Sequence, residues 1–253
     1  MSLRLFTFAA PARFYALAGA LIPWLWAATA LLAAAGLYIG FFVAPTDATQ
    51  GESYRIIFIH VPAAWMSMVL YLVMAFWAAI GWAFNARLAS MVARALAPTG
   101  AMFTFVALWT GAFWGKPTWG TWWVWDARLT SELILLFLYL GYIALINAID
   151  DVRRADHAGA LLAVVGAVNV PIIYFSVKWW NTLHQGATIS MTAAPKMAST
   201  MLTAMLLMTL AFWAYAFAVV FMRTRAIVLE REQHTDWVGA LAHGKQQPQG
   251  AGS

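Results

Sequence analysis

The chain has 253 residues, of which 63% are hydrophobic and only 10% are charged, and its mean hydropathy is +0.73. A soluble domain carries about 25% charged residues, so the composition excludes a soluble protein and indicates an integral membrane protein. The chain contains no cysteine, which excludes a thiol nucleophile, a disulfide framework and a cysteine-ligated metal. The formal charge of +5 would suggest nucleic acid only in a soluble chain, and we expect no nucleic-acid partner.

Long uncharged stretches predict how often the chain crosses the membrane. A spanning helix needs about 20 mostly apolar residues. Reading between charged residues gives six such stretches, so we predict an all-α membrane protein with six transmembrane helices. A seventh neutral stretch, 179–195, is rich in Asn, Thr, His, Gln and Ser and is predicted to be a loop. The six predicted spans are 14–46, 56–86, 95–115, 133–149, 158–177 and 197–222.

The distribution of Lys and Arg predicts the orientation of these spans. Ten of the 15 basic residues flank one face and five flank the other, so the positive-inside rule places both termini in the cytoplasm. The loops after spans 1, 3 and 5 then lie together on the outer side, and they are the long ones. We expect one transmembrane domain, 1–222, followed by a cytoplasmic tail, 223–253, that is partly disordered.

A cluster of tryptophans lies in the loop predicted at about 114–131, between spans 3 and 4. An interfacial belt usually places one or two tryptophans at a helix end. Five within 12 residues favour a binding surface for a flat, apolar ligand, although a belt stays an alternative. The five are Trp114, Trp119, Trp122, Trp123 and Trp125.

Glycine and proline predict the conformation of this segment. Gly115, Pro117 and Gly120 are expected to break the helix and to leave the cluster on a re-entrant or surface-lying segment. A helical turn or two over 119–126 would place three of the tryptophans and Asp126 on one face. We expect Asp126 to anchor this platform by accepting a hydrogen bond from an indole or backbone N–H.

Two of the five histidines lie on the same side as the tryptophans. His60 is at the outer end of span 2, and His184 is in the loop between spans 5 and 6. Either could simply bond a carbonyl group or water, but the pair favours a shared ligand. Bare zinc would want three or four protein ligands, whereas haem supplies four nitrogens and needs only one or two axial ligands. Two histidines beside an aromatic platform therefore suit haem.

Haem propionates would need cationic partners. Arg55, Arg128 and Lys178 lie near the outer interface, with Lys178 the weakest candidate. Glu132 follows Arg128 by four residues, which predicts a local ion pair, with a proton-relay carboxylate as the alternative.

Two further patterns concern helix packing. Gly36 and Gly40 form a small-xxx-small element that either packs internally or seats a partner helix. Met197, Met201 and Met205 recur every four residues in span 6, which favours flexible packing, with a thioether ligand as the minor alternative.

The six spans, the two outer histidines and the run WGTWWVWDARLTSELILL give a resemblance that covers almost the whole chain. The chain resembles the cytochrome c maturation protein C family, which carries a Trp-Trp-Asp (WWD) motif. The resemblance implies a bacterial inner-membrane protein that holds haem b at its periplasmic face. Haem would lie on the tryptophan surface with His60 and His184 as axial ligands.

The resemblance also implies partners. Haem would be presented to a periplasmic haem chaperone, cytochrome c maturation protein E, for cytochrome c biogenesis. The small single-span protein D and the ATP-binding cassette proteins A and B would complete the complex. Any ATP hydrolysis would belong to those partners, so we expect this chain to be a haem-transfer component and not an enzyme.

Two other functions stay open at this point. A b-type cytochrome subunit with two histidine ligands would transfer electrons, but such proteins hold haem deep within a helix bundle. A haem-free transporter component would use the tryptophans as a belt only.

Overall fold

The computed structural model describes residues 10–184 and 197–244, without the side chains of 242–244. Apart from one isolated bridge between Asp47 and Gly51, these residues form only helices and loops. Six helical segments are long and apolar enough to cross a membrane, which confirms the predicted number. The helices are α1 (Pro11–Tyr38), α2 (Ile57–Phe84), α3 (Arg87–Trp119), α4 (Ala127–Ala148), α5 (Val152–Gly166), α6 (Asn169–Trp179), α7 (Ser199–Arg231) and α8 (Asp236–Gly244), with a π-helical turn at Ile39–Val43 and a 3₁₀ helix at Glu52–Ile56.

The helices pack around α2 and α3, which are the most buried spans. A two-residue turn joins them, and Asn85 in that turn takes the left-handed conformation (φ 52°), which allows the tight reversal. Helix α1 packs mainly on α7 and is the most peripheral span. Helices α4, α5 and α6 cover the other side of the α2–α3 pair.

The glycine pair near the end of α1 packs internally. A Cβ atom on Gly36 would lie 2.9 Å from the Met208 side chain on α7. A Cβ on Gly40 would lie 2.6 Å from the Phe58 ring on α2. Met201 and Met205 are buried in the same apolar cluster as Phe58, so these methionines serve packing.

Several helices extend beyond the predicted spans because a charged residue does not end a helix. Helix α3 begins at Arg87, eight residues earlier than predicted, and α7 continues through Arg223 to Arg231. Arg231 forms two hydrogen bonds of 2.7 and 2.8 Å with the Asp156 carboxylate on α5. The predicted tail is thus helical over much of its described part, and residues 245–253 lie outside the described residues.

The fifth span is interrupted, although we predicted a continuous helix. It consists of α5 and α6, which meet at Ala167 and Val168. Pro171 has no N–H group, and its ring conflicts with the carbonyl four residues earlier, at Ala167. Bonds of the i→i−3 type replace the regular pattern there, as from Val168 N to Val165 O at 3.3 Å. The loop predicted at 179–195 begins at Trp180, and residues 185–195 lie outside the described part.

The tryptophan-rich segment differs from the prediction in where its helix ends. Helix α3 continues through Gly115 and Pro117 and stops at Gly120, which has a left-handed conformation (φ 78°) typical of a helix C-terminus. Residues 120–126 are irregular up to the start of α4. The helical turn considered over 119–126 is therefore wrong, and the loop is shorter than predicted.

Candidate functional site

The two outer histidines lie next to each other. His60 lies one turn into α2 and is buried, and His184 lies in the loop that follows α6. Their ring centroids are 6.3 Å apart and the ring planes are inclined by 36°. Two imidazoles that bind one metal ion from opposite sides, each at about 2 Å, have centroids roughly 6.5 Å apart. The observed spacing therefore suits a metal atom held between the two rings.

Two tryptophans of α3 flank the histidine pair. The Trp114 ring lies edge-on to His60, with centroids 5.6 Å apart, and the Trp119 ring lies 6.2 Å from His184. The indole N–H of Trp114 donates to the Gln50 side chain at 2.7 Å. This hydrogen bond connects Trp114 to the turn that precedes α2.

That turn is ordered by Asp47. Its carboxylate accepts hydrogen bonds from the Thr49 hydroxyl at 2.7 Å and from the backbone N–H groups of Thr49 and Gln50 at 2.9 and 2.8 Å. These donors, the Thr49 hydroxyl foremost, hold the pKa of Asp47 below its usual value. The turn therefore places Gln50 where its side chain meets Trp114.

The other three tryptophans form an outer group. Trp122 and Trp125 are 51% and 77% exposed. Trp122 contacts Phe113 edge-on at 5.3 Å, and Trp123 contacts Trp125 at 5.4 Å. The indole N–H of Trp123 is buried and has no acceptor among the described residues. The five tryptophans thus divide into an inner pair beside the histidines and an outer group with two exposed rings.

Asp126 anchors the segment that carries His184. It is the N-cap of α4, where it accepts a hydrogen bond from the Leu129 N–H at 2.8 Å. Its second oxygen accepts from the Thr182 hydroxyl. The backbone N–H of His184 in turn donates to Thr182 Oγ1 at 3.0 Å. Asp126 therefore connects the start of α4 to the loop of His184, and it accepts a backbone donor as expected.

Of the three predicted cationic partners, the structure brings one to the histidines. Arg128 lines the cavity beside His60 and His184 and donates to the Ile173 carbonyl at 2.7 Å. Arg55 instead donates to the carbonyls of Gly40 and Ala44, at 2.5 and 3.1 Å, and to Glu52. Lys178 lies on the last turn of α6, with its ammonium group 5.8 Å from the centroid of the Phe175 ring.

Glu132 does not pair with Arg128, so the predicted ion pair is wrong. Glu132 is buried and accepts a hydrogen bond from the Ser67 hydroxyl on α2 at 2.6 Å. Although the two residues share a helix face, Arg128 reaches towards α6 while Glu132 reaches towards α2. The second carboxylate oxygen of Glu132 has no hydrogen-bond partner in the described part of the chain.

The cavity between these residues is small and mostly apolar. Its volume of about 40 Å³ has room for a water molecule. Pockets for larger organic ligands occupy about 300–1,000 Å³. A flat ligand of that size can therefore reach the histidines only if the elements that carry them separate.

The structure adds three polar residues to those predicted from the sequence. Gln50 and Thr182 hold Trp114 and His184, as described above. Thr110 on α3 places its hydroxyl oxygen 3.1 Å from His60 Nδ1. Only Thr182 carried a sequence signal, since a threonine two residues before a loop residue often forms a local turn. The other two contacts join residues 50 and 64 positions apart.

Comparison with known proteins extends over nearly all of this fold. The family model described as Heme exporter protein C matches residues 4–239. Heme exporter protein C of Escherichia coli strain K12 is 48% identical over 234 residues, covering 92% of this chain and 94% of that protein. The protein of the same name from Bradyrhizobium diazoefficiens is 50% identical over 202 residues, covering 80% and 76%. A cytochrome c biosynthesis ccmC-like mitochondrial protein of Marchantia polymorpha is 48% identical over 159 residues, covering 63% and 67%.

Proposed function

The chain belongs to the Heme exporter protein C family, and from this premise we propose that it binds haem at the periplasmic face of a bacterial inner membrane and presents it for cytochrome c biogenesis. The names of the relatives support haem export and cytochrome c biosynthesis as the process. The six spanning-length helices support a multi-pass membrane protein. The chain acts as a transfer component and not as a catalyst of a chemical reaction.

The spacing of His60 and His184 is the observation that carries this proposal. Their centroid separation of 6.3 Å suits one iron atom with an imidazole on each side. The porphyrin would supply the other four nitrogens. Haem b is the cargo that we propose.

The surrounding residues would hold the rest of the ligand. Trp114 and Trp119 lie within about 6 Å of the histidine rings, where their indoles would cover an apolar macrocycle. Arg128 would pair with a propionate, since it already lines the cavity. Arg55 is less suited, because its guanidinium donates to Gly40, Ala44 and Glu52.

The exposed outer tryptophans, Trp122 and Trp125, suit the handover of haem to a partner. Their rings offer apolar contact area at the edge of the site. We propose that the acceptor is the periplasmic haem chaperone, cytochrome c maturation protein E. The small single-span protein D and the ATP-binding cassette proteins A and B would complete the complex, and any ATP hydrolysis would belong to a partner.

Absorption spectroscopy tests the haem site. The chain is purified in mild detergent with and without added haem, alongside the double variant His60→Ala/His184→Ala and the control His157→Ala. His157 lies in the second turn of α5, near the end of the bundle opposite to the two outer histidines. We expect about one low-spin haem per chain in the parent protein and the control. The double variant should lose haem or hold it in a high-spin form.

Two outcomes would contradict the proposal. Haem that is absent from every sample after supplementation would favour a haem-free transporter component. A stoichiometric haem that quinol reduces reversibly, with no transfer to an added haem chaperone, would favour an electron-transfer subunit.

A further inference from the structure

His60 Nδ1 lies 3.1 Å from the hydroxyl oxygen of Thr110 on α3. We propose that Thr110 is a positioning residue that holds His60 in the tautomer with its proton on Nδ1, so that the lone pair of Nε2 faces the ligand. The geometry supports the tautomer by itself, whereas the use of Nε2 for iron rests on the proposed function.

The hydrogen-bond partners of Thr110 fix the direction of the contact. Its hydroxyl oxygen lies 2.6 Å from the Val106 carbonyl oxygen and 3.3 Å from that of Ala107. A carbonyl oxygen only accepts, and a hydroxyl has a single hydrogen to donate. That hydrogen is thus directed at α3's own backbone, and Thr110 Oγ1 is left as an acceptor towards His60.

The alternative tautomer would require a rearrangement. With its proton on Nε2, His60 would need the hydroxyl hydrogen at Nδ1, and the Thr110 hydroxyl would have to leave the Val106 carbonyl. The 2.6 Å contact to the carbonyl is much shorter than the 3.1 Å contact to the imidazole. The shorter contact is where the hydroxyl hydrogen lies, so the Nδ1–H form is the one that satisfies both.

A glycine next to Thr110 permits this approach. A Cβ on Gly111 would lie 3.0 Å from His60 Cε1 and 3.5 Å from Nδ1. The His60 imidazole therefore lies directly against the backbone of α3. A side chain at position 111 would push the imidazole away from that backbone. His60 and Thr110 are both buried.

The tautomer matters for metal binding because only an unprotonated ring nitrogen can be a ligand. A ligating histidine generally donates its other N–H to a neighbouring group, and loss of that group costs about 10- to 100-fold in metal affinity. Thr110 supplies such an acceptor for His60.

Nitrogen NMR of the haem-free protein tests the tautomer without any ligand. Protein labelled with ¹⁵N-histidine is compared for the parent, Thr110→Val and Thr110→Ser, and the His60 signals are assigned by their loss in His60→Gln. The matched control is Thr104→Val, because Thr104 is also buried on α3 and its hydroxyl donates to the carbonyl four residues earlier at 2.8 Å. Its hydroxyl forms no hydrogen bond with His60.

We expect a protonated Nδ1 and an unprotonated Nε2 in the parent, in Thr110→Ser and in the control. Thr110→Val should shift His60 towards the Nε2–H form. A parent protein with the proton on Nε2, or an unchanged tautomer in Thr110→Val, would overturn the proposal.

Haem titration of the same variants then tests the consequence. Thr110→Val should bind haem 10- to 100-fold more weakly and raise the high-spin fraction, and Thr110→Ser should restore both. Unchanged affinity and spectrum in Thr110→Val would overturn the role in ligation. If the tautomer result is as expected but no variant binds haem, the proposed haem function fails while the assignment of Thr110 holds.

Discussion

At the scale of single residues, three basic side chains with similar sequence contexts have different surroundings. Arg128 is beside the histidine pair, Arg55 caps carbonyls at the end of the first span, and Lys178 is on the outer turn of α6. The sequence shows only that both arginines lie near the membrane interface. It therefore does not distinguish Arg128 from Arg55 as the partner of a haem propionate. The two arginines differ because the backbone carbonyls of Gly40 and Ala44 accept hydrogen bonds from the Arg55 guanidinium.

These surroundings predict different effects of substitution. Arg128→Gln should weaken haem binding by about tenfold, because a charge-assisted hydrogen bond to a propionate contributes about 1.5–3 kcal/mol and the neutral amide retains part of it. Lys178→Gln, the matched control, should bind haem like the parent protein. Haem titration of the detergent-purified variants measures both. Equal losses in the two variants would show that net charge, and not the position of Arg128, matters.

Arg55→Gln should act on stability instead. It leaves the carbonyls of Gly40 and Ala44 without their cationic donor, so we expect a lower free energy of unfolding by about 1–3 kcal/mol. Thermal unfolding of the haem-free protein checks this. A normal unfolding temperature combined with a loss of haem binding would instead place Arg55 at the ligand.

At the scale of helices, the cap of α4 is shared with the loop of His184. Asp126 and Asp151 are the N-caps of α4 and α5, and each accepts from the backbone N–H three residues later, at 2.8 and 2.7 Å. Among the described residues, Asp126 alone of the two also accepts from a loop, through the Thr182 hydroxyl.

The two caps therefore form a matched pair of substitutions. Asp126→Ala and Asp151→Ala should each cost about 1 kcal/mol in stability through the lost cap. Asp126→Ala should in addition speed amide hydrogen exchange in residues 180–184, because Thr182 loses its acceptor. Hydrogen exchange followed by mass spectrometry measures this. The same exchange in both variants would mean that Asp126 does not hold the His184 loop.

The number of spanning segments was predictable from the sequence, and the ends of the helices were less so. Hydropathy over 20 residues is a local property, which is why all six spans were found. Gly115, Pro117 and Gly120 could each have ended α3, and the sequence does not show which one does. The helix ends at Gly120 and accommodates Pro117 in its last turn. The contact of Thr110 with His60 joins two helices, and that of Gln50 with Trp114 joins a turn to a helix. No pattern along the chain predicts such pairs.

At the scale of the whole molecule, the turns of the bundle lie at two ends. The 44–51 turn, the 120–126 loop and the His184 loop share one end, while the short turns at 85–86 and 149–151 share the other. We predict that the first end faces the periplasm, because ten of the 15 basic residues flank the opposite face.

The chain has no cysteine, so single-cysteine variants report this orientation directly. In intact cells, a membrane-impermeant maleimide should label Ala48→Cys, which is exposed in the 44–51 turn. It should label Asp150→Cys, at the opposite end, only after the membrane is permeabilised. The reverse pattern would place the histidine pair in the cytoplasm and exclude presentation of haem to a periplasmic partner.

Because the fifth span is interrupted, α6 can rotate as a short rigid segment about the break. Its 11 residues span roughly 16 Å, with the break at Ala167 and Val168 at one end and the loop of His184 at the other. Two hydrogen bonds between α6 and α4 restrain it. The Asn169 amide of α6 donates to Ser131 O at 2.9 Å near the break, and Arg128 of α4 donates to Ile173 O at 2.7 Å further along. A tilt of about 10° about the break moves the far end by about 3 Å, more than the length of an iron–nitrogen bond. A small rotation at mid-span, together with loss of the Thr182–Asp126 hydrogen bond that joins the His184 loop to α4, can therefore separate His184 from His60.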